Sequence, residues 1–135
     1  MKPLLPIAAL TVLAASVVNA QPARPPVGTT DQAQAGATIY AEKCTGCHSA
    51  DLGEGGHGPP LKGEYFQTTW GGQSARKLYG TIISTMPASD PGSLSPEQTL
   101  ALSAFILRTN GYPAGDKLLT QPSDLQDIPI EKPAG

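Results

Sequence analysis

Cys44-Thr45-Gly46-Cys47-His48 is the stretch on which the reading of this chain turns. Two cysteines stand two residues apart and a histidine follows at once, the pattern by which a haem c is attached. The spacing has a geometric reason. At the end of a helix, Cys44 and Cys47 reach the two vinyl groups along one haem edge, and His48 is then held under the iron. Both thiols become thioethers, so neither remains as a redox group or a metal ligand. Three other uses of these residues stay open at this point. A thioredoxin-like dithiol needs a βαβ context, and the sequence offers none. A zinc site would have to recruit Cys44, Cys47, His48 and His57, every Cys and His in the chain. Adjacent Cys47 and His48 point awkwardly for one tetrahedron. A plain disulfide would leave the histidine without a role.

Working back from the motif, Gly36, Tyr40 and Cys44 lie on one helical face at i, i+4 spacing. Gly36 marks a place where another helix crosses closely. The helix starts at Thr29 or Thr30, because Thr29 with Gln32 fits a capping box and Asp31 suits the positive helix end. Residues 21–30 read as a flexible lead-in, with Pro22, Pro25, Pro26 and Gly28. Before them, Lys2, the apolar run from Leu4 to Val18 and the Val18-Asn19-Ala20 site make residues 1–20 a secretory signal peptide, cleaved after Ala20. Pro6 interrupts the run, which is short for a membrane span. The expected location is therefore periplasmic, with no stable membrane span after cleavage.

Working forward, Ser49 to Gly72 is loop-like and rich in Gly and Pro. A loop this long inside a compact domain serves a function or wraps a ligand, which argues for a large prosthetic group. A second helix runs from about Ser74 to Ser84, with Leu78 and Ile82 on one face and Tyr79 and Ile83 beside them. It stops before Met86, because the residue preceding Pro87 is pushed out of helical geometry. The last helix has Ser95 as N-cap, Pro96 at N1 and Gln98 completing a capping box. Leu100, Ala104 and Leu107 form its apolar row, broadened by Leu102, Phe105 and Ile106. Asn110-Gly111 ends it, and Pro113 prevents continuation. A tail with Pro122, Pro129 and Pro133 is expected to lie extended against the surface or to be disordered. The fold class is all-α: three to four short helices and long loops around one covalent haem.

Composition agrees. The 135 residues carry a formal net charge of −2, so the basic footprint of a nucleic-acid binder is missing. Only 5% are aromatic, against 15 Gly and 14 Pro. Such a chain has little side-chain material for a core, and an apolar group added to the interior would help.

These residues resemble the class I c-type cytochromes. The likeness runs from about Gly36 to Gly115 and rests on Gly36 and Tyr40, Cys44 to His48, Gly58-Pro59, Leu61, Met86-Pro87 and Phe105. The domain is accordingly placed at 31–115, with 116–135 a Pro-containing tail. The resemblance implies that the first and last helices cross near the Gly and aromatic positions, with the haem in the loops between. It implies that the Pro59 carbonyl meets the other ring nitrogen of His48, and that Met86 is the sixth iron ligand opposite His48. Met86 is the sole methionine after cleavage and lies 38 residues after His48, enough chain to pass around the haem edge. Its bland alternative is core filler. His/Met ligation leaves no open position on the iron and suits electron transfer rather than peroxidase work. His57 is the only competing ligand and reads as an exposed loop histidine. Trp70 is either packing or an indole N–H donor to a haem propionate. Arg76 is a weaker propionate candidate, otherwise a solvated charge. Leu61, Leu78 and Ile82 are expected pocket walls.

A narrower likeness, carried by Trp70-Gly71-Gly72, Met86-Pro87, Pro91-Gly92-Ser93-Leu94-Ser95 and Asn110-Gly111-Tyr112-Pro113-Ala114-Gly115, is to small cytochromes accompanying quinoprotein dehydrogenases. It implies a one-electron carrier, not an enzyme, taking electrons from such a dehydrogenase and passing them toward a terminal oxidase. A general periplasmic shuttle, the haem subunit of a sulfur-oxidising complex and a Cys/His zinc module are the alternatives.

Overall fold

Thr29 is extended, and its hydroxyl accepts the Gln32 backbone N–H at 3.1 Å, so the first helix starts where its N-cap residue sits. A computed structural model describes residues 23–133; the signal-peptide reading of residues 1–20 lies outside them. The helices are α1 (Thr30–Lys43), α2 (Thr45–His48), α3 (Gly63–Trp70), α4 (Ala75–Thr85) and α5 (Pro96–Thr109), followed by a 3₁₀ turn at Pro122–Leu125. No strand forms among the described residues beyond one isolated bridge between Ser74 and Pro129. The fold is that of a small all-α cytochrome c.

The crossing of α1 and α5 organises the rest. At Gly36 an added Cβ would collide with the Ala101 carbonyl oxygen and sit 2.8 Å from the Phe105 Cβ. The two backbones approach as closely as a missing side chain allows. One turn on, the Tyr40 and Phe105 rings pack at 5.4 Å, tilted by 53°. Helix α5 carries both hydrogen bonds of its capping box, Gln98 N–H to Ser95 Oγ at 3.1 Å and Ser95 N–H to Gln98 Oε1 at 2.9 Å. Helix α4 packs on α5 and on the 3₁₀ turn.

Three features depart from the sequence expectations. First, α3 forms inside the stretch read as loop. Its glycines cluster at the ends, while Glu64 to Trp70 contains none, and Phe66 is fully buried one turn before Trp70. Second, the Gln32 side chain does not complete a capping box. Its Nε2 donates to the Leu119 carbonyl at 2.9 Å and its Oε1 accepts the Leu119 N–H at 3.0 Å. Third, the C-terminal segment is packed: Leu119, Leu125, Ile128 and Ile130 are buried. Its backbone pairs with the α3–α4 connection through Gly72 N–H to Ile130 O, Ile130 N–H to Gln73 O and Ala75 N–H to Ile128 O, each 2.8 Å. Val27, in the segment read as a lead-in, is also fully buried and bonds the Pro113 carbonyl at 2.9 Å. Arg24 joins the two ends, pairing with Glu131 at 2.7 Å and bonding the Asn110 carbonyl.

Asp124 holds the turn together, accepting from Thr120 N–H, Gln121 N–H and Lys117. The Thr120 N–H, then Lys117, hold its carboxyl down at about 2. A depressed acid stabilises the fold above its unfolded value, about 4, and loses that contribution as pH falls through about 2. The protection of the Leu125 amide, its exchange rate corrected for the pH dependence of exchange in an unfolded chain, should therefore fall between about pH 4 and pH 2. In Asp124→Asn that pH dependence should vanish; an unchanged acid profile would contradict the assignment.

Glycine replacements should separate the helix crossing from an open site. Gly36→Ala should destabilise the protein by about 1–3 kcal/mol or more, whereas Gly80→Ala, with open space at its Cβ, should be neutral or stabilising by up to about 1 kcal/mol. Thermal unfolding of both variants checks this, and equal midpoints would refute the close-crossing account.

Candidate functional site

Helix α1 ends at Lys43, and after Cys44 the chain makes a single extra turn, α2, carrying Cys47 and His48. Cys44 N–H bonds Tyr40 O at 2.9 Å, and Cys44 O accepts from Cys47 N–H at 3.1 Å and His48 N–H at 2.9 Å. The two sulfurs are unpaired, Cys44 half-buried and Cys47 exposed. Burial pushes the Cys44 thiol up to about 11, against the opposing charge of Lys43. A neutral thiol is a poor zinc ligand and a poor attacking group. Among the described residues no three His, Cys, Asp or Glu side chains gather as a metal cluster, and His57 is exposed on its loop.

His48 is buried. Its Nδ1 lies 2.8 Å from the Pro59 carbonyl oxygen. A carbonyl only accepts, so Nδ1 carries a proton, and in the neutral ring Nε2 is the nitrogen with the lone pair. The loop is shaped around this ring. An added Cβ at Gly58 would lie 2.8 Å from His48 Cε1 and 2.9 Å from Nδ1, and one at Gly56 would collide with the Cys47 carbonyl. Gly58 N–H bonds Cys47 O at 2.7 Å. The glycines thus bring the loop backbone against α2, which is a reason for their number that composition does not give.

Tyr40 fixes α2 from behind. Its hydroxyl meets the His48 carbonyl at 3.0 Å and the Ser49 carbonyl at 2.7 Å. Burial first, then the nearby Cys44 and Asp51, push its phenol up to about 12, so it remains a donor at working pH. Asn110 is a second fastener: Nδ2 donates to Leu61 O and to Ile106 O, both at 2.9 Å, and Oδ1 accepts the Gly63 N–H at 3.0 Å. The sequence reading used Asn110 only as a helix terminator and Tyr40 only as packing. An Asn at the end of α5 was the available signal, but its partners lie 47 and 49 residues away.

The remaining candidates divide by burial. Cys44, Leu61, Trp70, Ile83 and Met86 are each partly buried and packed against the core, as are Ile39 and Phe105. Leu78 and Ile82 lie within the core itself, and Ile83, which the sequence reading set beside them, is partly buried against it. Met86 caps α4 in extended geometry, its N–H bonded to Ile82 O at 2.9 Å. Trp70 packs on Phe66 at 6.5 Å between ring centres. Arg76 is exposed and donates to Gln126 at 2.9 Å. The donor chemistry fits a haem: one imidazole whose Nδ1 is already engaged, one thioether, two unpaired thiols within one turn of each other, and partly exposed apolar side chains.

Comparisons with known proteins follow this geometry. The model of the family described as cytochrome C oxidase, cbb3-type, subunit III matches residues 31–106, more than half of the chain. Among solved structures, a chain of the sulfane dehydrogenase SoxCD from Paracoccus pantotrophus aligns with a TM-score of 0.59 at 23% identity, over 82% of this chain and 57% of that one. The likeness is one of fold, and the present chain spans a little over half the length of that neighbour. No curated protein matches the chain.

Replacing His57 by Ala should leave the visible spectrum unchanged, because His57 is exposed on the loop that serves His48. A low-spin iron turned high-spin by this change would transfer the distal role to His57.

Proposed function

Because the chain belongs to the cbb3-type cytochrome c oxidase subunit III family and is a class I c-type cytochrome, we propose that it is an exported carrier of single electrons with one covalent haem c. The haem supplies a reversible one-electron iron couple when bound. Cys44 and Cys47 would hold it as thioethers, and His48 and Met86 would ligate its iron. The observation that carries this reading is the single turn of α2, which sets Cys47 beside His48 while Pro59 occupies the other ring nitrogen.

Each residue has a separate task. The Pro59 carbonyl orients the His48 ring and raises its basicity, as outer partners of metal ligands do. Met86 would fill the remaining iron position, so that no substrate or gas competes with electron transfer, and its thioether would favour the ferrous state. Leu61, Ile83, Leu78 and Ile82 would exclude water from the pocket. Trp70 would wall it and could offer its indole N–H to a propionate. Arg76 faces solvent beside Gln126 and is left out of the propionate site.

Residues 1–20 are removed on export to the periplasm, residues 31–115 carry the haem fold, and the tail from 116 onward braces it through its described residues, 116–133. No helix among the described residues is long and apolar enough to cross a membrane. The donor is a quinoprotein-type dehydrogenase, on the strength of the short loop motifs around Trp70, Pro91 and Asn110. The family's description as an oxidase subunit supports a terminal oxidase as the acceptor. The likeness to SoxCD, being one of fold, does not favour a sulfur-oxidising complex over this donor.

Axial ligation is tested by two replacements. Met86→Ala should open the sixth position to added ligands and lower the reduction potential. Met86→His should keep the iron closed and still lower the potential, each by a substantial part of the roughly 0.8 V that axial ligands span. Redox titration with visible spectroscopy reads both, and unchanged potentials would remove Met86 as the ligand. In a third variant, Cys44→Ala with Cys47→Ala, the haem colour should no longer survive denaturing electrophoresis. A chain still coloured after denaturation would contradict thioether attachment.

A further inference from the structure

Among the described residues only two that are not glycine take a positive φ, Ser49 at 64° and Leu52 at 62°. Both follow closely on His48. Ser49 combines its φ of 64° with a ψ of 155°, a region of backbone space that is essentially reserved for glycine. Its Cβ is crowded there by the flanking peptide groups. Leu52 pairs a left-handed φ with a buried side chain. Backbone strain in this protein is therefore concentrated directly after the histidine of the site.

Such strain persists only where the surroundings leave the chain no easier conformation. At Ser49 the main restraint is a single hydroxyl. Tyr40 Oη meets the Ser49 carbonyl at 2.7 Å and the His48 carbonyl at 3.0 Å. These carbonyls belong to the two peptide groups on either side of the Ser49 Cα, so one donor fixes both φ and ψ of that residue. The Tyr40 ring is itself held, buried and packed on Phe105 at 5.4 Å. From the other side the loop returns against Ser49, and an added Cβ at Gly56 would lie 3.1 Å from its nitrogen. Leu52 is tied in turn, its carbonyl accepting the Leu61 N–H at 2.8 Å.

The strained residues begin the loop that comes back to the imidazole. His48 Nδ1 lies 2.8 Å from the Pro59 carbonyl, and the chain between them passes through Ser49 and Leu52. A Ser49 relaxed to negative φ would turn the His48–Ser49 peptide and redirect the loop that delivers Pro59.

We propose that Ser49 and the Tyr40 hydroxyl form a strained catch that positions His48, fixing its ring and its Pro59 bond while the iron changes oxidation state. The inference rests on the haem-carrier reading and adds to it two positioning residues for the proximal ligand. An imidazole whose Nδ1–H is engaged is the more basic ligand and favours ferric iron. Release of the catch therefore raises the reduction potential.

The test uses the holoprotein and four variants: Ser49→Gly, Ser49→Ala, Tyr40→Phe, and Tyr40→Phe combined with Ser49→Gly. At an ordinary position alanine is the more stable choice, because glycine leaves the unfolded chain freer. At Ser49 the order should invert, with Ser49→Gly unfolding at a higher temperature than Ser49→Ala. Tyr40→Phe keeps the ring against Phe105 and removes only the hydroxyl. Its reduction potential should rise. The haem-methyl NMR signals of the oxidised protein, whose spread reads the orientation of the axial imidazole, should move with it. With Ser49→Gly already in place there is no strain to release, so Tyr40→Phe should move the potential less, a coupling that neighbouring but independent sites would not show. Ser49→Gly no more stable than Ser49→Ala, unmoved potential and methyl signals in Tyr40→Phe, or equal shifts in both backgrounds would each overturn the proposal. The Ser49 pair leaves Tyr40 intact, so it decides the strain even where Tyr40→Phe folds poorly. An unaltered protein without a haem spectrum would sink the carrier reading instead, a result distinct from a normal spectrum with an unmoved potential.

Discussion

The close crossing of α1 and α5 at Gly36 is the contact from which the site is built. It fixes the direction in which α1 leaves the core, and α1 ends directly in Cys44. Tyr40, one turn beyond the crossing, packs on Phe105 and holds the His48 and Ser49 carbonyls with its hydroxyl. The orientation of the His48 ring thus depends on an interhelical approach twelve residues earlier in sequence. From the other side Asn110, at the end of α5, pins Leu61 and Gly63. The same two helices therefore position both walls of the proximal loop.

This arrangement solves a problem set by composition. With few aromatic residues and many Gly and Pro, the chain cannot close a large core by side chains alone. Its glycines instead let backbone approach backbone at Gly36 and backbone approach the imidazole at Gly58. Leu61, Trp70, Ile83 and Met86 remain only partly buried against the core. Covering them with a bound haem would add the hydrophobic gain that a small domain otherwise lacks.

Local chemistry was legible in the sequence. Ser95, Pro96 and Gln98 mark the start of α5 and form the bonds their types allow, and Pro87 marks the end of α4. The Cys-x-x-Cys-His spacing gave the family and the cofactor class. What escaped was non-local. Helix α3 is short and hidden between glycine clusters, its only strong sign being Phe66 and Trp70 at i, i+4. Gln32 has the right place for a capping box, but Leu119, 87 residues away, offers its side chain two hydrogen bonds. The prolines of the C-terminal segment suggested surface chain, while Leu119, Leu125, Ile128 and Ile130 between them bury it against α4 and its entry loop. The Asn110 and Tyr40 contacts likewise depend on the fold being in place.

The central claim is that the iron lies between His48 and Met86, and proton NMR of the reduced holoprotein tests it most directly. The chain has two methionines, Met1 and Met86, so methyl-labelled methionine gives an unambiguous signal. The account predicts one labelled methyl shifted far upfield of the ordinary methyl region by the haem ring current. A reduced, haem-loaded protein in which every labelled methyl stays in the ordinary region would contradict it.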